Sequence, residues 1–140
     1  MSDFVSQVKI VPAPQEAVFE KLSDWTSLNE YGNLLPSDKI SDFVSDRDSC
    51  HFKLNMAGLG SMGVRIEERV PFKTIKLVSE DSPVSFNAWI QLKEKDLESC
   101  YMKLTLRAEL PFFLKGMLSR PLQEGIDKFA DILSGGMIHY

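Results

Sequence analysis

The sequence contains few of the side chains that most often carry acid–base or metal chemistry at neutral pH. It has two histidines and two cysteines among 140 residues, too few for a disulfide framework or a cysteine-based zinc cluster. No run of residues has the spacing of a metal site, a phosphate-binding loop or a nucleophile elbow. We therefore expect no metal and no cofactor, and the sequence offers no convincing catalytic constellation.

Long apolar runs and an excess of basic residues are also missing. No run approaches the roughly 20 apolar residues that a membrane span needs, and the first residues lack the basic start and cleavage site of a signal peptide. The net charge is −4, whereas nucleic-acid-binding proteins usually carry a basic face. These features predict a cytoplasmic protein with no membrane span and no nucleic-acid partner.

The length and composition are those of an ordinary globular protein. Apolar residues make up 44% of the chain and charged residues 26%, and 140 residues suit one domain with one core. We find no repeat, low-complexity segment or linker. We therefore expect a single domain over residues 1–140, with a frayed tail at about 134–140.

The first part of the chain predicts a strand followed by two short helices. The segment Phe4–Val11 is rich in β-branched residues, and the prolines that follow end the strand because proline has no N–H for the ladder. Pro14 suits the first turn of a helix in which Val18 and Leu22 share one face. The residues that cap, carry or end the second short helix are Asp24, Thr26, Ser27, Leu28, Tyr31, Gly32 and Pro36.

The middle of the chain alternates apolar and polar residues, as antiparallel strands do. A hairpin centred on Asp96 would place Leu92 opposite Cys100 and Ile90 opposite Met102, so that apolar residues meet on one buried face. The predicted inward positions are Cys50, Phe52, Leu54, Val64, Ile66, Glu68, Val70, Ile75, Leu77, Phe86, Ala88, Ile90, Leu92, Cys100, Met102, Leu104, Leu106, Ala108 and Leu110.

A helix of about two dozen residues is predicted after Pro111, because apolar residues recur every three or four positions from Leu114 to Leu133. Pro121 lies inside it, which predicts a kink or a break near Met117–Arg120, with Ser119 as the cap of a restarted helix. Strands followed by a separate helix indicate the α+β class, with the helix packed across one face of the sheet.

This order, together with the stretch PAPQEAVFEKLSD (12–24), resembles the START-like superfamily, also called SRPBCC. The superfamily includes the major birch-pollen allergen, lipid-transfer domains and the polyketide cyclase/dehydrase group. The segment IEERVPFKTIKL (66–77) is similar to a strand–turn–strand passage of the superfamily, and 111–133 looks closest to small bacterial proteins labelled polyketide-cyclase-like. The positions that match the first motif are Pro14, Glu16, Val18, Phe19, Leu22, Ser23 and Asp24.

The resemblance implies a helix-grip fold, in which a curved antiparallel sheet wraps the C-terminal helix around a hydrophobic cavity. It also implies that the cavity mouth lies near Phe112, Phe113 and Met117. These three side chains would then either gate the cavity or simply pack against their neighbours. The residues expected to line the cavity are Phe19, Phe52, Ile66, Glu68, Leu77, Phe86, Ala88, Ile90, Met102, Leu104, Leu106, Phe113, Met117, Leu118 and Ile126.

Glu68 is the main candidate catalytic residue. Strict alternation places it on the cavity side, where a carboxylate has a raised pKa and can orient a ligand or act as a base. The alternative is that a bulge near Pro71 turns it outward, or that a neighbouring basic residue pairs with it. Cys50 and His51 do not form a dyad, because adjacent residues on a strand point to opposite faces.

Trp89 and Tyr101 are large aromatic residues on the predicted outer face. In the predicted register Tyr101 lies diagonal to Trp89, so the pair marks either a homodimer surface or an ordinary semi-exposed contact.

Three functions remain open from the sequence. The first is a binding protein that encloses a hydrophobic or amphipathic small molecule, lipid- or polyketide-like. The second is a cyclase/dehydrase-like enzyme in which Glu68, with Tyr31 or His51, moves protons. The third is an interaction protein or homodimer with a filled core. The fold alone does not decide among these functions. We favour the binding protein because the sequence shows no convincing acid–base pair.

Overall fold

A computed structural model describes residues 2–26, 28, 38–55 and 58–135 of the chain. These residues form an eight-stranded antiparallel sheet and two α-helices, which confirms the α+β prediction. The elements in chain order are β1 (Ser2–Val5), β2 (Lys9–Val11), α1 (Gln15–Leu22), β3 (Ile40–Ser45), β4 (Ser49–Leu54), β5 (Gly60–Val70), β6 (Thr74–Glu80), β7 (Phe86–Asp96), β8 (Ser99–Ala108) and α2 (Phe112–Ser134).

The strands from β3 to β8 follow one another across the sheet. Each pairs antiparallel with the next in the chain, and β1 and β2 pair with the free side of β8, giving the order β1-β8-β7-β6-β5-β4-β3. The first strand and β3 therefore lie at opposite edges. This arrangement leaves one broad face of the sheet to be covered by α2.

The predicted first strand is two short strands separated by an irregular segment at Ser6. The Ser6 N–H donates to the Leu104 carbonyl at 2.9 Å, and the Ser6 hydroxyl oxygen accepts from the Leu104 N–H at 2.9 Å. The buried serine side chain thus satisfies a backbone donor that a regular ladder would pair with a carbonyl.

Helix α1 begins after Pro14, as predicted, and buries Val18, Phe19 and Leu22. Trp25 follows it and is also buried. Most of the predicted second short helix, including Tyr31, lies outside the described residues.

Strand β3 was not anticipated from the sequence. Asp42 has a positive φ of 53°, and the pairing with β4 shifts between Ser41 and Val44. This irregularity breaks the alternation by which a strand is recognised. It leaves Phe43 stacked against Phe52 of β4, with ring centroids 6.4 Å apart.

The β7–β8 register differs from the predicted one by two residues. Ile90 lies opposite Leu104 and Leu92 opposite Met102. The pairing shifts between Glu94 and Asp96, so that Asp96 faces Ser99 across a short turn. A shift of two residues preserves the side-chain parity, so the buried face was predicted correctly although the partners were not.

Helix α2 runs continuously through Pro121, so of the predicted kink or break near Met117–Arg120 the break is wrong. The Ser119 hydroxyl does not cap a restarted helix but donates to the Lys115 carbonyl one turn earlier. The helix reaches Ser134, which is buried, so the frayed tail does not begin there; residues 136–140 lie outside the described part. No helix among the described residues is both long enough and apolar enough to cross a membrane.

The main contacts of α2 with the sheet are made with β1, β2 and β8. Leu118, Ile126 and Ala130 supply its most buried positions. Since the helix packs most closely near one edge of the sheet, space remains between it and the strands toward the other edge.

Candidate functional site

A cavity of about 580 Å³ lies between α2 and the sheet. Residues of β3, β4, β5, β7 and β8 form one side of it, and successive turns of α2 form the other. The volume is within the range of about 300–1,000 Å³ that small-molecule sites occupy. Its lining residues are Asp38, Lys39, Ile40, Phe43, Phe52, Leu54, Leu59, Met62, Val84, Phe86, Leu106, Ala108, Leu110, Leu118, Pro121, Leu122, Glu124, Gly125, Ile126, Lys128, Phe129 and Ile132.

A second space of about 290 Å³ adjoins the first and reaches toward α1. Its additional lining includes Leu22, Trp25, Cys50, Leu77, Ala88 and Ile90. The residues that line both spaces are Phe43, Phe52, Phe86, Leu106, Ile126, Phe129 and Ile132. Because seven residues are shared, the two spaces form one interior, with a larger part, named the outer part, and a smaller part beside α1, named the inner part.

Charge is confined to the larger part. Its lining includes Asp38, Lys39, Glu124 and Lys128, all exposed to solvent, whereas the described lining of the inner part contains no charged side chain. These four residues define the charged rim. The described lining thus offers apolar contact in the inner part, and ionic contact only at the charged rim of the outer part.

The polar atoms near the inner part are satisfied within the protein or uncharged. The Trp25 indole N–H donates to the Leu22 carbonyl at 2.8 Å, so the ring presents carbon to the cavity. Burial raises the pKa of the Cys50 thiol to about 12, which keeps it neutral. An occupant of the inner part would therefore have to be uncharged there.

No family model matches the sequence, and no curated protein matches it either. Several solved structures, however, match this chain in fold. Norcoclaurine synthase from Thalictrum flavum, in complex with dopamine and hydroxybenzaldehyde, superposes with a TM-score of 0.68 at 14% identity, over 96% of this chain and 86% of that one. A START superfamily protein from Mycobacterium smegmatis gives a TM-score of 0.56 at 11% identity, over 91% and 98% of the two chains. The chain has the START-like, helix-grip fold.

The helix-grip fold was thus predicted correctly. Nine of the fifteen residues expected in the cavity line one or both spaces: Phe52, Leu77, Phe86, Ala88, Ile90, Leu104, Leu106, Leu118 and Ile126. Most lie on β7 and β8, where the alternation of apolar and polar residues is regular. Phe19, Ile66 and Met102 are buried in the packed core and line neither space.

The expectation that Glu68 faces the cavity is wrong. The β5–β6 pairing shifts between Ile66 and Glu68, so that Glu67 is the extra residue of a bulge. Glu68 consequently lies opposite Lys76 and is exposed, whereas a regular ladder would have placed it opposite the buried Ile75. One added residue reverses the parity of everything that follows on the strand.

Arg69 takes the position that alternation assigned to Glu68. It lies opposite Ile75, and its guanidinium donates to the Ser23 carbonyl at 3.1 and 2.8 Å and to the Asp48 carboxylate at 2.7 Å. The bulge therefore turns a structural cation toward the C-terminal end of α1 and turns the candidate catalytic carboxylate out to solvent.

The residues at the start of α2 do not line either space. Phe113 is 74% exposed and Met117 59% exposed, and Phe112 is also exposed. The cavity side of this helix begins with Leu118, so the expectation that Phe113 and Met117 form cavity wall is wrong.

Cys50 and His51 lie on opposite faces of β4, as predicted. Cys50 lines the inner cavity, while the His51 Nε2 atom lies 3.3 Å from a Glu80 carboxylate oxygen. They form no dyad.

Trp89 and Tyr101 are not neighbours on the outer face. Because of the two-residue shift in register, Trp89 pairs with Thr105, while Tyr101 pairs with Lys93. The Arg107 guanidinium lies 5.8 Å from the Trp89 ring centroid, a cation–π contact within the chain. The predicted two-aromatic patch is therefore wrong.

Two groups stand out among the cavity residues that the sequence did not predict. Ile40 and Phe43 come from the unrecognised strand β3. Pro121, Leu122, Gly125, Phe129 and Ile132 lie on α2 at intervals of one, three or four positions after Leu118. The helical period identifies that face, so the same signal that predicted the helix could have identified these residues.

Proposed function

We propose that this protein binds a hydrophobic or amphipathic small molecule, lipid- or polyketide-like, between the sheet and α2. The observation that supports this most directly is the 580 Å³ cavity with its adjoining inner part. Burial of an apolar molecule there would contribute roughly 25 cal/mol for each Å² removed from water. This contribution appears as affinity only to the extent that it exceeds the translational and rotational freedom that the ligand loses on binding.

The distribution of charge suggests how such a ligand would be oriented. Its apolar body would fill the inner part, where the described lining is uncharged, and a polar end would lie at the charged rim beside Lys39 and Lys128. The stacked rings of Phe43 and Phe52 offer flat apolar surface on the wall. Norcoclaurine synthase, which shares the fold, is solved with small aromatic molecules bound, and this favours a ligand with a cyclic body.

Binding is favoured over a cyclase/dehydrase-like reaction because of where the candidate acid–base groups lie. Glu68 is exposed outside the cavity, and His51 is on the outer face of the sheet beside Glu80. Tyr31 lies outside the described residues. The filled-core alternative is disfavoured by the open interior itself.

The experiment is native mass spectrometry of the protein purified from its own host, followed by extraction of any retained molecule. We expect one small molecule per chain. Competition with anilinonaphthalene sulfonate, a fluorescent probe of apolar sites, would then compare hexadecanoate with a polycyclic phenol such as naphthol. Displacement by one of the two would assign the ligand class. An absence of both a retained mass and saturable probe binding would contradict the proposal.

A further inference from the structure

The outer face of the sheet carries a cluster of side chains that could coordinate a metal ion. This cluster is separate from the cavity. His51 on β4, Gly63 on β5 and Glu80 on β6 occupy paired positions on three neighbouring strands. Because Gly63 has no side chain, His51 and Glu80 meet across it, with 3.3 Å between the imidazole Nε2 and a carboxylate oxygen. The next residue, Asp81, places a carboxylate oxygen 3.8 Å from the same nitrogen.

The gap at Gly63 is needed for this contact. A Cβ atom at that position would lie 2.6 Å from the His51 ring and 2.4 Å from the Glu80 carbonyl oxygen, well inside normal contact distances. His51 and Glu80 can approach each other because the residue paired between them is glycine. The spacing of these residues in the sequence does not indicate this contact.

The donor atoms have the chemistry and separation of a transition-metal site. The imidazole nitrogen and the two carboxylate oxygens lie within 4.8 Å of one another. A tetrahedral ion with bonds of about 2 Å holds neighbouring ligand atoms about 3.3 Å apart, close to the separation of His51 and Glu80. Small rotations of the exposed Asp81 side chain would bring the third ligand to the same distance.

Arg65 supports the orientation of Glu80. Its guanidinium Nε lies 3.6 Å from the other carboxylate oxygen of Glu80. One oxygen of Glu80 therefore faces Arg65 while the second faces His51. Such outer contacts commonly hold a metal-ligating carboxylate in place.

We propose that His51, Glu80 and Asp81 bind a divalent transition-metal ion of the Zn²⁺ class. One imidazole nitrogen and two carboxylate oxygens are ligands that Zn²⁺ accepts. The side chains are partly exposed, so water would complete the coordination. An ion held there connects β4 to β6 across β5 and stabilises the folded state in proportion to its binding.

The test is titration of the intact protein with ZnCl₂ by isothermal titration calorimetry. We expect one ion per chain, and we expect His51→Ala and Glu80→Gln to weaken binding at least about tenfold. The matched controls are His139→Ala, which removes the other histidine, and Glu98→Gln, which removes an exposed carboxylate on the β7–β8 turn. Both controls should bind as the original protein does.

Substitution of Co²⁺ gives a second readout that does not depend on affinity. The visible spectrum should show nitrogen and oxygen ligands without an intense thiolate charge-transfer band, since Cys50 and Cys100 are buried. Failure of the original protein to bind Zn²⁺, unchanged binding by His51→Ala, or loss of binding in His139→Ala would each overturn the proposal. Circular dichroism of each variant establishes that it is folded.

Discussion

Cys50 is a single residue whose ionisation and reactivity are set by its surroundings in the cavity. Its thiol lines the inner part of the cavity, and burial raises its pKa to about 12. Burial also raises the pKa of Cys100 on β8. Since the thiolate is the reactive form, neither cysteine has the electropositive and accessible surroundings of a nucleophile.

We predict that both thiols react slowly with Ellman's reagent in the native protein at about pH 8, where an ordinary exposed thiol is partly ionised. Two thiols should react promptly once the protein is unfolded in urea. The measurement is the absorbance of the released thionitrobenzoate over time. Equal rates in the native and unfolded states would show that Cys50 and Cys100 are not shielded as described.

Within one element, the bulged strand β5, the adjacent residues Arg69 and Glu68 allow a matched pair of substitutions. Arg69→Ala removes hydrogen bonds from a charged donor to Ser23 and Asp48, and we expect it to lower the free energy of unfolding by about 1.5–3 kcal/mol. Glu68→Gln alters an exposed side chain, so we expect a change within about 0.5 kcal/mol.

Urea unfolding of the two variants tests this difference, and a ligand-binding measurement on Glu68→Gln should show no change. If Glu68→Gln is the more destabilising substitution, or if it abolishes probe binding, then β5 does not have the bulge that turns Glu68 outward.

The elements themselves could be predicted where the pattern of side chains is regular. The face of β7 and β8 and the course of α2 follow from periods of two and about 3.6 residues. The bulges could not be predicted, because an extra residue such as Glu67 has no distinctive side chain and still reverses the parity beyond it. The same limit applies to the irregular strand β3, to the β7–β8 register and to the orientation of Glu68.

The cavity is formed by the whole molecule, because its walls come from both the sheet and α2. The sequence therefore indicated residues of its wall but not its size. Its volume depends on how closely α2 approaches the sheet, which is set by contacts with β1, β2 and β8. The metal-ligand cluster has the same origin, because three strands bring its residues together.

Four aspartates in the described part of the chain make the stability of the whole molecule depend on pH in the acid range. Hydrogen bonds lower the pKa of each: from Arg107 to Asp3, from Thr26 to Asp24, from the Asp48 N–H to Asp46, and from the Glu98 N–H to Asp96. A carboxyl whose pKa is lower in the folded state stabilises that state above its unfolded pKa. The stabilisation is lost as the pH falls through the folded value.

We therefore predict that the free energy of unfolding declines below about pH 4, the pKa of an unfolded aspartate. Asp46→Asn should show a smaller decline than the original protein, because one of the four contributing carboxyls is gone. Urea unfolding at a series of pH values measures both profiles. Identical profiles would contradict the assignment of Asp46.

The central claim, that the interior is a binding cavity, is tested most directly by two substitutions on α2. Gly125 lines the cavity and Gly116 is exposed, and a Cβ atom at either position meets nothing within 4 Å. Replacing either glycine with phenylalanine should raise helix stability by roughly a few tenths of a kcal/mol, so both variants should fold. Only the ring at position 125 would occupy cavity volume.

The decisive measurement is the affinity of both variants for anilinonaphthalene sulfonate, followed by its fluorescence. The account predicts that Gly125→Phe weakens binding about tenfold or more, which corresponds to about 1.4 kcal/mol, while Gly116→Phe binds as the original protein does. Equal affinity of the two variants would contradict it, because the probe would then be bound somewhere other than between the sheet and α2.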